Sequence, residues 1–465
     1  MKKIFLIQFI LFSLVSFAQP PLRFYTKFGG YGIDIGYSAK PTKDRHYIVA
    51  GSTSSYGAGN TDVYLVKVDS MGFPIWQKTF GGFGNEVGKA VVQLPDSGYV
   101  VAGFTNSFGN GGYDVYLVRT DKNGDFIWQK TFGGIDWDFA NDVVLTTDGD
   151  IAVVGNTSSF GHGNKDWLFL KFDYSGNLVT QKYIGGVENE ELRSIIVTND
   201  LFLASVGYTE SKGEINGDCY FVKLDLNGDT LFTRTFGGPG LDYLNDITQR
   251  FDTYDYIMCG AKTFSTTPYQ RGFMNSINSL GTFLWENNYV SNVSNEEFVS
   301  ISNSYHLNGL SAYARQRAVS GFKIQADIYL GTYFGYTYKL NASGGSEDEY
   351  VYSIEGLKDG GYLSVGSTLS FGSIGEDVYL IRHDSTIISY SSVVGVKETP
   401  KNNKPYILYK EDKVNVILLD DNTQQIELYD LNGKIMRKYI IKENDKDIEI
   451  DMSQLSPAIY ILRLR

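Results

Sequence analysis

The chain has 465 residues, 42% hydrophobic and 15% aromatic, with 51 glycines and 10 prolines. That length suits one large domain plus a small one, and the wealth of Tyr and Phe favours pleated, half-buried surfaces, so an all-β class is expected. A net charge of −12 argues against a nucleic-acid partner, because phosphate binding needs clustered Lys and Arg.

At the N-terminus, Lys2 and Lys3 precede an apolar run from Ile4 to Phe17, broken by Gln8, Ser13 and Ser16. Small Ser16 and Ala18 then frame a cut before Gln19. Charged, apolar and small residues in that order predict a secretory signal peptide over residues 1–18. The run falls short of the ~20 apolar residues that cross a bilayer, and no other stretch qualifies, so no transmembrane segment is expected. Cys219 and Cys259 are the two cysteines, and a pair of buried thiols is favoured over a disulfide. His46, His162, His306 and His383 are scattered without metal-ligand spacing, so neither a metal nor a cofactor is expected.

From Phe28 onward the chain repeats. Aromatic-Gly-Gly or related triplets begin at Phe28, Phe80, Phe132, Ile184 and Phe236, with weaker returns at Tyr289 and Ser343. The second copy reads as four strands, Asn85 to Leu94, Tyr99 to Thr105, Asp114 to Thr120 and Phe126 to Phe132. Tight turns such as Asp121-Lys122-Asn123-Gly124 separate them, as in antiparallel hairpins. Four strands in a repeat of ~50 residues make one blade of a β-propeller. Seven copies fit between residues 23 and 390, so a seven-bladed propeller is expected. The seventh copy lacks its fourth strand, and Arg23 to Phe28 supplies one, which would close the ring and remove its open edge.

Three strings carry a resemblance: Gly103-Phe104-Thr105-Asn106-Ser107-Phe108-Gly109, Asp114-Val115-Tyr116-Leu117-Val118 and Trp128-Gln129-Lys130-Thr131-Phe132-Gly133-Gly134. With them the chain resembles a family of secreted propeller repeats. The resemblance is strong in copies one to four and seven, weaker in five and poor in six. It implies a fold and export, and no particular activity.

A polar linker is expected over 391–405, with Pro400 and Pro405. Strand-like runs follow at Val414 to Leu419, Gln425 to Tyr429, Ile435 to Ile441, Ile448 to Ile450 and Ile459 to Leu464. Ile426-Glu427-Leu428-Tyr429-Asp430-Leu431-Asn432-Gly433-Lys434 and Met452-Ser453-Gln454-Leu455-Ser456-Pro457-Ala458-Ile459-Tyr460 resemble the C-terminal sorting domain of type IX secretion. The resemblance implies that residues 406–465 address the outer-membrane secretion machinery, and that the protein ends outside the cell or attached to its surface. A small β-sandwich appended to the propeller is the plainer alternative.

An acid recurs four residues after the second Gly of each anchor: Asp34, Glu86, Asp138, Glu190 and Asp242, with Glu296 and Glu349 in the weaker copies. An acidic ring offers oxygen ligands to a cation, but the favoured reading is structural, each carboxylate accepting backbone N–H bonds and locking its loop. The Asp-x-Asn-Gly-Asp strings at Asp121 and Asp225 are hairpin turns, since they lack the later ligands of a calcium loop. Tyr56, Phe108, Phe160 and Phe371, with Trp137, gather on one face, where rings either take sugars or plug between blades. Where the repeat fails, copies five and six carry Tyr269, Arg271, Tyr313, Arg315 and Arg317 in place of the Phe-Gly loop. These are the candidate ligand-binding residues, because a specific site in a pseudo-symmetric ring must break the symmetry and Arg forks onto anionic groups.

No nucleophile, base and orienter are marked by spacing. The leading expectation is therefore an exported binding or adhesion module for glycans or proteins. An exported polysaccharide-active enzyme using a carboxylate pair and a purely structural scaffold are the alternatives.

Overall fold

The computed structural model describes residues 24–213, 216–263, 270–288, 294–303, 310–319, 322–332, 337–341, 349–369 and 375–383, and strands within 406–464. The expected signal peptide over 1–18, the expected linker over 391–405 and the weaker anchors Tyr289 and Ser343 lie outside the described residues. The chain divides into two units, residues 1–387 and 388–465.

The first unit is an all-β propeller. Its first blade runs outward from the ring axis through Asp34–Pro41, Tyr47–Thr53, Asp62–Val68 and Pro74–Phe80, each strand antiparallel to the last. The second repeats the pattern with Glu86–Gln93, Tyr99–Thr105, Asp114–Thr120 and Phe126–Phe132, three of which match the expected spans residue for residue. Innermost strands of the next blades are Asp138–Leu145, Glu190–Val197 and Tyr243–Gln249, and Glu349–Gly356 opens the closing blade. That last blade takes its outermost strand from Phe24–Phe28, with Phe24 opposite Arg382 and Phe28 opposite Val378. The N-terminal strand thus seals the last blade, and the Lys27 ammonium bonds the Asp377 carboxylate across this seam at 2.8 Å.

The expectation of seven complete blades needs correcting: six are described with their side chains. The backbone of one further four-stranded sheet, Ser294–Asn303, Leu310–Val319, Phe322–Thr332 and Thr337–Asn341, stands between Tyr243–Gln249 and Glu349–Gly356. This is the stretch where the repeat decays. Its anchors have lost the aromatic-Gly-Gly triplet that fixes the other blade junctions.

Second and third strands lie between neighbouring blades and are buried on both faces, so they read as apolar runs instead of alternating. Tyr47–Thr53, Asp62–Val68 and Asp166–Phe172 are buried at every position. Each wholly buried Val or Leu here, such as Val101 and Leu168, contributes about 1.5–3 kcal/mol. The outermost strands face solvent with half their length, as in Pro74–Phe80.

Every innermost strand carries one β-bulge at the same height. In the second blade the register jumps between Gly88 and Ala90, leaving Lys89 unpaired with the neighbouring strand. A glycine stands opposite the bulge in every blade except that of Ser294–Asn303, where Arg315 takes the place. A Cβ on Gly103 would strike the carbonyl of Val87, and the same holds for Gly155 against Phe139.

A second recurring device clasps the outer edge. In five blades the cation next to last in the third strand reaches an acid in the turn of the same blade: Lys67 to Asp44, Arg119 to Asp96, Lys171 to Asp148, Lys223 to Asp200 and Arg382 to Asp359. Lys67 and Lys223 also donate to the hydroxyls of Tyr99 and Tyr256 in the following blade, so the clasp ties blades as well as hairpins.

Cys219 and Cys259 are buried free thiols in different strands. In the C-terminal unit, Tyr406–Lys410, Lys413–Ile417 and Asp447–Asp451 form one sheet, and Ile435–Ile440, Gln425–Tyr429 and Ile461–Leu464 another. The strand Tyr406–Lys410 is an addition to those expected. Among the described residues, no helix is long and apolar enough to cross a membrane.

Candidate functional site

The bulges aim one residue of each innermost strand at the ring axis: Tyr37, Lys89, Asn141, Arg193, Asn245, Val299 and Tyr352. A bulge re-aims the side chain it inserts, and here all seven residues line one cavity of about 250 Å³ together with Lys40, Asp142, Ser194, Asp246, Ser300 and Glu355. The axial channel is therefore strongly polar, with three cations and three carboxylates along its wall.

Polar bonds pass from blade to blade around this wall. Asn141 donates to the carbonyl of Leu192 at 2.8 Å, and Asn245 to that of Phe298 at 2.8 Å. Arg193 donates to Asn245 Oδ1 at 2.8 Å while its guanidinium lies 4.4 Å from the Tyr243 ring centre. Asp142 accepts the backbone N–H of Ile195 at 2.9 Å, and Asp246 that of Ile301 at 2.9 Å. The Ser194 hydroxyl sits between those two carboxylates, 2.6 Å from Asp246 and 3.2 Å from Asp142. With one proton to give, it donates to one of them at a time.

Burial shapes the ionisation of these groups. It pushes the Asp142 carboxyl up to about 6, against the pull of nearby Lys40. Burial also lowers the Lys89 ammonium, which lies 4.2 Å over the Tyr37 ring. Lys40 behaves in the opposite way. Desolvation would lower it, but Glu355 at 2.6 Å, with Asp142 and Asp246 near, holds it above the ordinary lysine value.

The recurring acids of the sequence stand at the start of the innermost strands, and Asp34, Glu86, Asp138, Glu190 and Asp242 are buried. Each accepts the N–H of the second anchor glycine four residues earlier, as Glu86 does from Gly82 at 2.8 Å and Asp138 from Gly134 at 2.8 Å. Glu86 further accepts the Thr105 hydroxyl at 2.6 Å, and Asp138 those of Thr157 and Ser159. Glu296 and Glu349 keep the same register, three residues before their bulge residues.

Of the candidate ligand residues, Arg271 lies in the strand Gln270–Ile277, and Tyr313, Arg315 and Arg317 in Leu310–Val319. They occupy strands, where the sequence reading puts them in a loop. Tyr269 and Phe371 lie outside the described residues. Among the loop aromatics, Phe108 stacks on Tyr116 and Phe160 on Tyr183, while the Tyr56 hydroxyl donates to the carbonyl of Gly29 at 2.7 Å. Trp137 remains more than half exposed beside Tyr113 and Phe139. The bulge residues themselves escape a reading by residue type, being different in each blade. Their constant 52-residue spacing through Asn245 was the signal available.

Comparison with known proteins adds a partial relative. The chain is 27% identical over 165 residues to the regulatory protein FlaEY of Caulobacter vibrioides, covering 30% of this chain and 17% of that protein. This chain therefore spans less than a fifth of that relative. Among solved structures, Saccharomyces cerevisiae Sqt1 is 14% identical over 84% of this chain and 94% of its own, with a TM-score of 0.46. A puromycin hydrolase is 11% identical over 82% of this chain and 58% of its own, with a TM-score of 0.49. Residues 410–465 match the secretion system C-terminal sorting domain, so the chain carries an export-sorting segment behind its propeller.

Proposed function

We propose that the protein is an exported binding module, displayed at the cell surface by its sorting domain, whose axial channel takes a polar, acid-bearing ligand of the glycan class. One observation carries the proposal: the framework repeats from blade to blade, while the residue at each bulge does not. Tyr37, Lys89, Asn141, Arg193, Asn245, Val299 and Tyr352 share one structural position and offer two rings, two amides and two cations. Aromatic faces suit sugar rings, amides suit hydroxyls, and Arg suits carboxylates. A wall that only filled space would have no use for that variety.

A second reading rests on Asp142. A carboxyl held near 6 beside Asp246 is poised as a general acid, which favours a polysaccharide-active enzyme. Both readings are tested by a glycan array probed with the purified protein, Lys89→Met, Arg193→Met, and an Arg271→Ala, Arg315→Ala, Arg317→Ala triple variant. Selective binding lost in the channel variants and kept in the triple variant supports the channel. The reverse pattern returns the site to the strands where the repeat decays. Shortening of a bound glycan, abolished in Asp142→Asn, would make the protein an enzyme. Absence of any glycan binding removes this ligand class.

A further inference from the structure

Several blade junctions bring together two carboxylates that belong to different blades. The first residue of a third strand meets the recurring acid of the next innermost strand, as Asp62 meets Glu86, Asp114 meets Asp138, and Asp166 meets Glu190. All six are buried, none above 2% exposed. In each pair the two oxygens converge on one anchor glycine: a Cβ on Gly81, Gly133 or Gly185 would strike both carboxylates of its junction. The glycine keeps open the space between them.

One oxygen of each strand-three acid is accounted for. Asp62 Oδ2 accepts the N–H groups of Ala58 and Gly59, Asp114 Oδ2 that of Asn110, and Asp166 Oδ2 those of His162 and Gly163. The other oxygen points at the neighbouring carboxylate. In Asp114 and Asp166 that Oδ1 is buried with no hydrogen-bond donor. A buried, unpaired carboxylate oxygen facing a second carboxylate needs a positive charge.

Elsewhere in the ring the protein supplies one. At the seam of the closing blade, Lys27 bonds Asp377, the counterpart of Asp114, at 2.8 Å. The strand positions equivalent to Lys27 in the next blades are Thr79, Thr131 and Tyr183. In the fifth blade the register puts Arg271 where Asp114 stands, opposite Lys262 as Asp114 is opposite Thr105. The like-charged pair is thus broken up or neutralised at both places. Among the described residues, no Lys or Arg bonds the acids of the three junctions between blades one and four.

We propose that these three junctions, Asp62/Glu86, Asp114/Asp138 and Asp166/Glu190, each hold a divalent cation of the calcium class. Oxygen-only donors select hard cations, and the absence of nitrogen or sulfur ligands at the junctions disfavours zinc and copper. Calcium takes its oxygens at about 2.3–2.6 Å, and each junction places an oxygen from each of two carboxylates beside the same glycine. Two carboxylates make a weak site, of the order of 10⁻⁴–10⁻³ M as in extracellular modules. Such a site fills outside the cell and empties inside it. The ion bridges adjacent blades, so its binding stiffens the ring at three successive seams.

The test uses the full protein, stripped of metal with chelator and titrated with calcium chloride, with sodium chloride at matched ionic strength as control. We expect the melting temperature to rise by about 4 °C at ten times the dissociation constant. Terbium should bind with sensitised luminescence and be displaced by calcium. The double variant Asp114→Asn, Asp166→Asn should melt no lower than the stripped wild type and should lose most of the calcium response. A wild type that neither shifts with calcium nor binds terbium overturns the proposal, whatever the variants do. So does an undiminished calcium response in the double variant. A gain in stability on acidification of the stripped wild type that the double variant loses assigns the missing charge to a shared proton instead, and also overturns it.

Discussion

The Lys67 ammonium lies 2.9 Å from the Asp44 carboxylate, with the lysine side chain only 5% exposed and the aspartate 54%. The pair is lopsided: the cation is buried and its partner wet. Removing the acid strands a buried charge, whereas removing the lysine leaves an ordinary surface carboxylate. Asp44→Asn should therefore destabilise by about 1–3 kcal/mol, and Lys67→Met should cost less. Thermal melting of the two variants beside wild type checks the order.

The same pair predicts an acid limb. Burial would raise the Asp44 carboxyl, but hydrogen bonds from Thr42 and Lys67 outweigh it and hold the group at about 2. A depressed carboxylate stabilises fully above its unfolded value of ~3.9 and loses that contribution as pH falls towards the folded value. The gap in melting temperature between wild type and Asp44→Asn should be constant near neutrality and narrow from about pH 4 downward.

Asp142 titrates with the opposite sign. Burial holds its carboxyl at about 6, so ionisation near neutrality costs stability, and acidification from 6 towards the unfolded value of ~3.9 relieves that cost. Lys40, Asp246 and Glu355 face it across the channel, and Asp246 works in the same direction while Lys40 opposes. Asp142→Asn should melt higher than wild type at pH 7.5, with the gap narrowing below pH 6 and closing at about pH 4.

Gly103 is a backbone test. Because a Cβ there meets the Val87 carbonyl, Gly103→Val must flatten the bulge and rotate Lys89 away from the axis. We expect a loss of about 2–4 kcal/mol, seen as an earlier melt, together with loss of whatever binding the channel supports. Gly149 is the control, since a Cβ there meets nothing, although its positive φ of 91° adds a small cost of its own.

Much of this architecture is legible in the sequence, for a physical reason. Hairpin turns such as Asp121 to Gly124 need residues that tolerate φ > 0, and Gly124 adopts φ 79°, so strand ends declare themselves. The seam is legible too, because a strand missing at one end and spare at the other has a single economical solution. Lys67 and Asp44 were readable in principle as a cation and an acid at fixed separation, but neither type alone marks burial. The bulge is the least visible feature. Insertion into the channel places no demand on residue type, and only its partner Gly103 carries a trace of it. Arg315 and Arg317 mislead for a related reason: loss of the repeat motif removes the landmarks that tell loop from strand.

The seal between Phe24–Phe28 and the closing blade joins positions 350 residues apart in the chain, as in the Lys27–Asp377 bond. Contacts of such separation are the slowest to form, since the largest loop must close first. Every other blade can be assembled from neighbouring residues as the chain emerges, whereas this one waits for both ends of the propeller. Until then the chain remains an open arc with two unsatisfied sheet edges.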